Sequence, residues 1–331
     1  MKKGFFLLLL LFVSQAFSVQ QSNQSASVFA ELLLWQIHEI SDDNWGQVIG
    51  PTGTYQQNQF LDVPFKWSPG LRAGVDFNLK ESRWHVLLYY TGYQTEGKRV
   101  VSTNSSEVHS AFLGNFFANN LTGAGVSGPY YKEAGMRWNV LFHTLDLELG
   151  RELIINPLMN LRPFVGLKTS VIDQSINTSW QQPFDDTTKQ PITTFSSATE
   201  KVTNDFKGFG PSFGLDSYWH LYTSHENRLN LIGQFSGAFL WGHWDITDVY
   251  QNNTPVSITI QNDKMSSVAF MARGYLGLEW AHGVGQIDMS LRIGYETQAW
   301  FNQLRYYSFD MGRTENALFL HGGVLGGYLR F

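Results

Sequence analysis

Stretches in which every second residue is apolar recur ten times along this chain, and the connections between them alternate strictly between short and long. Alternation with a period of two is typical of a β-strand that has one apolar face. The four short connections lie around Lys80-Glu81-Ser82, Pro157, Ser224-His225 and His282-Gly283-Val284-Gly285. The five long ones cover about residues 36–68, 94–135, 175–204, 242–265 and 298–317. This alternation is typical of a transmembrane β-barrel, and a soluble sandwich has no reason to follow it.

The predicted strands cover about residues 27–35, 69–79, 83–93, 136–151, 160–174, 205–220, 228–241, 266–281, 286–297 and 318–331. In the fourth strand the apolar residues change face near His143, which predicts a β-bulge at that point. A strand pair hidden within residues 94–135 would raise the strand count from ten to twelve.

The composition agrees with a membrane barrel. Charged residues make up 15% of the chain and aromatic residues another 15%, against about 25% charged residues in an ordinary soluble domain. In lipid every backbone polar group needs a partner, so the sheet must close without a free edge. The sequence therefore predicts an all-β, closed antiparallel transmembrane barrel of about ten strands, with short periplasmic turns and long extracellular loops. Tryptophans near strand ends predict an interfacial aromatic girdle, and these are Trp35, Trp84, Trp138, Trp219, Trp241 and Trp280.

Both ends of the chain carry export features. Lys2 and Lys3 precede a short apolar run, and Ala16 and Ser18 occupy the small-residue positions of a cleavage site. We expect residues 1–18 to be a cleaved signal peptide and residues 19–331 to form a single barrel domain. The last strand ends with Gly326, Leu329 and Phe331, which resemble the signal read by the barrel-assembly machinery, although Val324 stands where a polar residue is usual.

These features predict a protein of the bacterial outer membrane with both termini in the periplasm. Its expected partners are outer-membrane lipid, lipopolysaccharide and, during biogenesis, the assembly machinery. A homo-oligomer is left open, because the sequence does not locate an interface.

The face opposite the predicted lipid-facing one carries most of the charge in the strands. We predict that ten of its residues line the lumen: Arg72, Asp76, Arg162, Lys168, Asp216, Arg273, Glu279, Asp288, Arg292 and Glu296. Glu31, Asp146 and Glu148 lie on the same face. Charges paired across the lumen would narrow it, whereas charges facing water would line a channel.

The predicted number of strands does not decide between a filled interior and an open channel. Eight strands give an interior filled by side chains, and sixteen to eighteen leave a water channel. Lumen-face glycines such as Gly214 and Gly294 favour either an open path or strand curvature. We predict a narrow, weakly selective pore for ions or small polar solutes; the alternative is a surface adhesin or structural barrel with a filled lumen. Residues 94–135, with Phe112, Phe116 and Phe117, are expected to fold inward as a constriction or to project as a binding loop.

Enzymatic chemistry finds little support in the sequence. The chain has no cysteine, so thiol catalysis and cysteine-ligated metals are excluded. No metal-binding, phosphate-loop or calcium-loop spacing occurs, and no basic patch suits nucleic acid. The candidates for a protease-like site are the loop pairs Asp42-Asp43 and Asp185-Asp186, and His243 with Asp245. We expect no enzyme activity, no cofactor and no bound metal.

Several stretches resemble the Legionella pore-forming outer-membrane proteins, a family of barrels like the major outer-membrane protein. The most specific are Asp146-Leu147-Glu148-Leu149-Gly150-Arg151 and Leu161-Arg162-Pro163-Phe164-Val165-Gly166-Leu167. Phe29–Trp35, Phe65–Gly74 and Ile172-Asp173-Gln174 match in the same order. The resemblance implies an outer-membrane location and pore formation, and it transfers no catalytic residue.

Overall fold

The computed structural model describes residues 24–39, 44–50, 58–79, 82–103, 106–115, 130–185, 188, 190–224, 226–254, 257–285, 287–308 and 312–331. The predicted signal peptide lies outside these residues. No helix in the described part of the chain is long and apolar enough to cross a membrane.

The described residues form fourteen strands of a single sheet. In chain order they are β1 (Gln24–Glu39), β2 (Gly46–Ile49), β3 (Asn58–Leu61), β4 (Ser68–Leu79), β5 (Trp84–Ser102), β6 (Glu107–Ser110), β7 (Tyr130–Arg151), β8 (Leu153–Asn156), β9 (Met159–Phe184), β10 (Ser197–Thr223), β11 (Asn227–Asn252), β12 (Ser257–Val284), β13 (Ile287–Ser308) and β14 (Gly312–Arg330).

Ten long strands close into an antiparallel barrel. Each of β1, β4, β5, β7 and β9 to β14 pairs with its neighbour in this series, and β14 pairs with β1 to complete the ring. The prediction of ten barrel strands is confirmed, and the described residues between 94 and 135 add no strand pair to the ring. The four short strands lie outside the ring: β2, β3 and β6 pair together at the long-loop end, and β8 pairs with β9 at the short-turn end.

The outer face carries an apolar band about one membrane thick. On β10 the outward residues Phe209, Phe213, Leu215 and Trp219 are all exposed. They span eleven residues, which for a tilted strand corresponds to a height of about 25 Å. The outward residues Leu276, Leu291 and Leu325 continue the same band on β12, β13 and β14.

Beyond this band the two faces of the sheet exchange character. On the same outward face of β10 the next residues are Lys207, Asp205 and Lys201, while the inward positions change from Ser212 and Asp216 to the buried Phe206 and Val202. The strands therefore continue past the membrane as a water-facing barrel with its own hydrophobic core.

Three outward aspartates show that this extension faces water. Asp205 is the direct cross-strand partner of both Asp173 and Asp245. Partial burial, followed by the charges of Asp173 and Asp245, raises the pKa of the Asp205 carboxyl above its ordinary value. Three adjacent carboxylates need water around them, because isolated charges are prohibitively costly in hydrocarbon.

Three of the predicted long connections are therefore mostly strand. Residues 175–184 and 197–204 belong to β9 and β10, residues 242–252 and 257–265 to β11 and β12, and residues 298–308 and 312–317 to β13 and β14. The prediction was wrong there because it required apolar residues on the outer face. In these segments apolar residues such as Val202, Ile246 and Trp300 point inward instead.

The same exchange explains the apparent slip at His143. The pairing of β7 with β5 and β9 continues through this position without a bulge. Trp138 and Phe142 point inward in the extension, whereas Leu145 and Leu147 point outward in the band. The predicted bulge is wrong, because the apolar face changes while the register stays constant.

Two of the predicted girdle tryptophans are also misplaced. Trp84, Trp219, Trp241 and Trp280 are exposed on the outer wall, but Trp35 and Trp138 are fully buried inside the barrel.

Candidate functional site

The structure places all ten predicted lumen residues on the inner face of the barrel. They come from five different strands, β4, β9, β10, β12 and β13. Their contacts include Glu31, Asp146, Glu148 and several tyrosines. The side chains form ion-paired clusters in the half of the barrel that crosses the membrane, rather than lying singly along an open wall.

The largest cluster is centred on Arg72 of β4. Its guanidinium donates to Glu296 at 2.6 and 2.9 Å and to Glu31 at 2.7 Å. Arg273 donates to the same Glu296 at 2.8 Å, and the Tyr328 hydroxyl donates to Glu31. Arg72 and both carboxylates are buried, so the cluster joins β1, β4, β12, β13 and β14 across the interior.

Four further ion pairs, which involve three basic residues, lie at the same level of the barrel; together with the Arg72 cluster they are called the ionic layer. Arg162 contacts Asp216 at 2.6 Å and Glu148 at 2.9 Å, and Tyr89 donates to Glu148 at 2.9 Å. Lys168 forms an ion pair with Asp146. Arg292 donates to Glu279 at 2.5 Å and stacks over the Tyr328 ring at 3.8 Å. The sequence analysis did not predict that tyrosines take part in these clusters. In a strand sequence, an inward tyrosine that contacts a charge cannot be distinguished from any other aromatic residue.

A polar cavity of about 230 Å³ lies between this layer and the short-turn end. At its rim Asp76 accepts from His85 at 3.2 Å, and Arg228 contacts Asp288 at 2.9 Å. The Arg228–Asp288 pair is about two-fifths exposed. Asp76 and Asp288 therefore face a water-accessible vestibule, whereas the other eight predicted lumen residues lie deeper.

An aromatic layer lies directly beyond the ionic one. The rings of Trp35 and Phe142 are 6.4 Å apart and those of Phe142 and Trp300 are 5.2 Å apart. These residues belong to β1, β7 and β13 and are fully buried, so their contact bridges the barrel. Arg72 lies 5.6 Å from the Trp35 ring and Lys168 lies 5.7 Å from the Trp300 ring, which joins the two layers.

The lumen-face glycines do not open a path. A Cβ on Gly214 would lie 2.4 Å from the Phe164 ring, and one on Gly294 would lie 2.6 Å from the Tyr275 ring. Neighbouring aromatic side chains occupy the space that these glycines leave.

The residues considered for protease-like chemistry do not form a site among the described residues. His243 and Asp245 point outward from β11, and the His243 Nδ1 contacts the Ser266 hydroxyl at 3.2 Å. Asp42, Asp43 and Asp186 lie outside the described residues. Within the described ranges no group of three or more His, Asp or Glu is arranged to hold a metal ion.

The closed ten-strand ring, the apolar outer band and the charged interior define an outer-membrane β-barrel protein. The chain belongs to the family described as Legionella pneumophila major outer membrane protein precursor, whose model matches residues 16–331. No curated protein matches the chain.

Several solved structures of outer-membrane proteins match the chain at low identity. The outer membrane protease OmpT from Escherichia coli is 10% identical, with 93% of this chain and 96% of that chain covered and a TM-score of 0.42. The toluene transporter TodX from P. putida is 9% identical, covering 95% and 90% of the two chains, with a TM-score of 0.24. A FadL homologue from Pseudomonas aeruginosa is 7% identical, covering 93% and 90%, with a TM-score of 0.22.

Proposed function

We propose that this protein is a closed surface barrel, which presents a folded extension outside the outer membrane and does not conduct in its resting form. The observation that carries the proposal is the contact of Trp35, Phe142 and Trp300 across the barrel, next to the paired charges on the side of the extension. Moving a hydrated ion through this point requires separating buried rings that pack as a protein core does.

In this proposal the short-turn end and both termini face the periplasm, and the extension of β9 to β13 faces the exterior. Lipopolysaccharide would contact the edge of the apolar band that lies next to the extension. The assembly machinery would insert the barrel into the membrane. The outward position of His243 and Asp245 favours a non-enzymatic role.

A narrow pore for ions or small polar solutes is the second candidate function. The 230 Å³ polar cavity favours it, because this cavity would serve as a vestibule on the short-turn side. Conduction would require the aromatic layer to open.

Planar-bilayer recording of refolded protein separates the two candidates. A closed barrel predicts no conductance steps for the wild type and small steps for the Phe142→Gly/Trp300→Gly double variant, in which the rings that close the lumen are removed. The matched control is Phe213→Gly/Phe239→Gly, whose rings lie on the outer wall 6.1 Å apart and should have no effect on conductance. Regular steps in the wild-type protein would favour the pore and exclude the closed resting form.

A further inference from the structure

The mouth of the barrel at the long-loop end is occupied by residues 110–115, here called the mouth segment. Phe112 is 1% exposed and belongs to the hydrophobic core of the extension. Nearby in that core, Trp45 packs against Trp180 at 5.6 Å. The segment is therefore packed into the barrel opening and does not project from it.

Two buried carboxylates hold the mouth segment from the barrel wall. Glu200 of β10 accepts from the Asn115 backbone N–H at 2.7 Å and from the Ser110 hydroxyl at 3.2 Å. Asp248 of β11 accepts from the Gly114 backbone N–H at 2.8 Å. Glu200 and Asp248 are 1% and 7% exposed.

The segment fits closely over the two carboxylates. A Cβ on Gly114 would lie 2.6 Å from Glu200 Oε1 and 2.7 Å from Asp248 Oδ1. Both oxygens therefore lie close against the glycine, and a larger residue would push the segment away from them.

In the described part of the chain no lysine, arginine or histidine makes an ion pair with Glu200 or Asp248. The other titratable groups that face the pair are the phenols of Tyr131 on β7 and Tyr250 on β11, which are neutral at ordinary pH. Burial, then the charge of Asp248, raises the pKa of Glu200 well above its usual value, and burial raises that of Asp248 to about 6.

We propose that the mouth segment is a proton-dependent latch, held in the barrel opening while Glu200 and Asp248 share a proton and released when both carboxylates are ionised. Ionisation of both groups would place two negative charges close together in a buried site.

The sign of the pH dependence follows from linkage. The latched state binds more protons than the released state, in which both carboxylates are hydrated and titrate normally. Latching is therefore strongest at acidic pH, and it weakens as pH rises from about 4 through about 6 and on through the higher pKa of Glu200. The equilibrium changes by at most about tenfold per pH unit for each extra proton bound.

Hydrogen exchange on the refolded full-length barrel tests this proposal. Mass spectrometry of peptides containing residues 112–115, corrected for the intrinsic pH dependence of exchange, gives the protection of the Gly114 and Asn115 amides. We expect this protection to fall by tenfold or more between pH 5 and pH 9, while that of the central residues of β10 stays unchanged. Protection that is independent of pH in the wild type would overturn the latch, and this result needs no variant.

Two variants identify the groups responsible. Glu200→Gln removes one ionisable group and keeps an acceptor, so the fall in protection above about pH 6 should disappear and only the dependence that comes from Asp248 should remain. The matched control is Asp205→Asn, on the same strand but facing outward, which should retain the wild-type pH profile. A Glu200→Gln protein that keeps that profile, or an Asp205→Asn protein that loses it, would contradict the assignment.

Discussion

At the scale of single residues, the most consequential feature is that the interior charges are paired and buried. A buried ion pair adds little net stability relative to an apolar pair. Removing one partner, however, leaves the other as an unpaired charge in a buried site. Arg72 satisfies two carboxylates at once. Among the described residues, its loss would leave Glu31 with the Tyr328 hydroxyl and Glu296 with Arg273 and Gln298.

We predict that Arg72→Met lowers the free energy of unfolding by about 3–5 kcal/mol, as when one partner of a buried pair is removed. The comparison is Arg228→Met, whose pair with Asp288 is about two-fifths exposed on each side, so the expected loss is about 0–1 kcal/mol. Urea unfolding in detergent micelles, followed by tryptophan fluorescence, measures both values. Equal losses for the two variants would show that Arg72 is not a buried structural charge.

At the scale of elements, each long strand passes through two environments. The band half of β10 has apolar residues outside and polar ones inside, and the extension half has the reverse arrangement. A strand can exchange its faces in this way without a bulge, because its side chains alternate regardless of the solvent on either side.

Cysteine labelling should locate the boundary between these halves. The chain has no native cysteine, so Thr199→Cys and Phe209→Cys each introduce a unique thiol on the outer face of β10. We expect a membrane-impermeant maleimide to label residue 199 on intact cells and to leave residue 209 unlabelled, because water surrounds the first and lipid the second. Labelling of residue 199 only after lysis would place the extension in the periplasm.

At the scale of the whole molecule, the barrel depends on its last strand. β14 pairs with β1 over thirteen positions and with β13 on its other side, and the Phe331 backbone N–H donates to the Ala26 carbonyl at 2.9 Å. Without β14 the sheet would have two free edges in lipid, where unpaired backbone groups are too costly to persist.

We predict that Phe331→Ser reduces the amount of folded protein in the outer membrane several-fold but leaves refolding into detergent unchanged. The terminal phenylalanine is proposed to act in recognition by the assembly machinery, while the pairing of β14 with β1 uses the backbone. Heat-modifiable mobility on gels measures the folded fraction in both settings. A parallel loss of refolding in detergent would assign Phe331 a structural role instead.

The sequence predicted the structure best in the apolar band, where every outward residue contacts the same environment, the lipid. The outward residues of the band, such as Leu291 and Ile293, contact lipid whatever the neighbouring strand carries, so their alternation alone predicted the strands, their number and the short-turn end. Strand residues such as those in 175–184 and 197–204 were predicted as loop. Strands were recognised by apolar residues on the outer face, and this pattern was assumed to hold along the whole strand.

By itself, the sequence determined that this chain closes into a ten-strand barrel with a lipid-facing band, since that property is local to each strand. Only the tertiary structure decided what fills the barrel. Arg72 and Glu296 are 224 positions apart, and Trp35, Phe142 and Trp300 come from three strands that meet only after closure. Whether inward charges pair or face water depends on which side chains meet across the barrel. The residue pattern along a single strand does not determine those contacts.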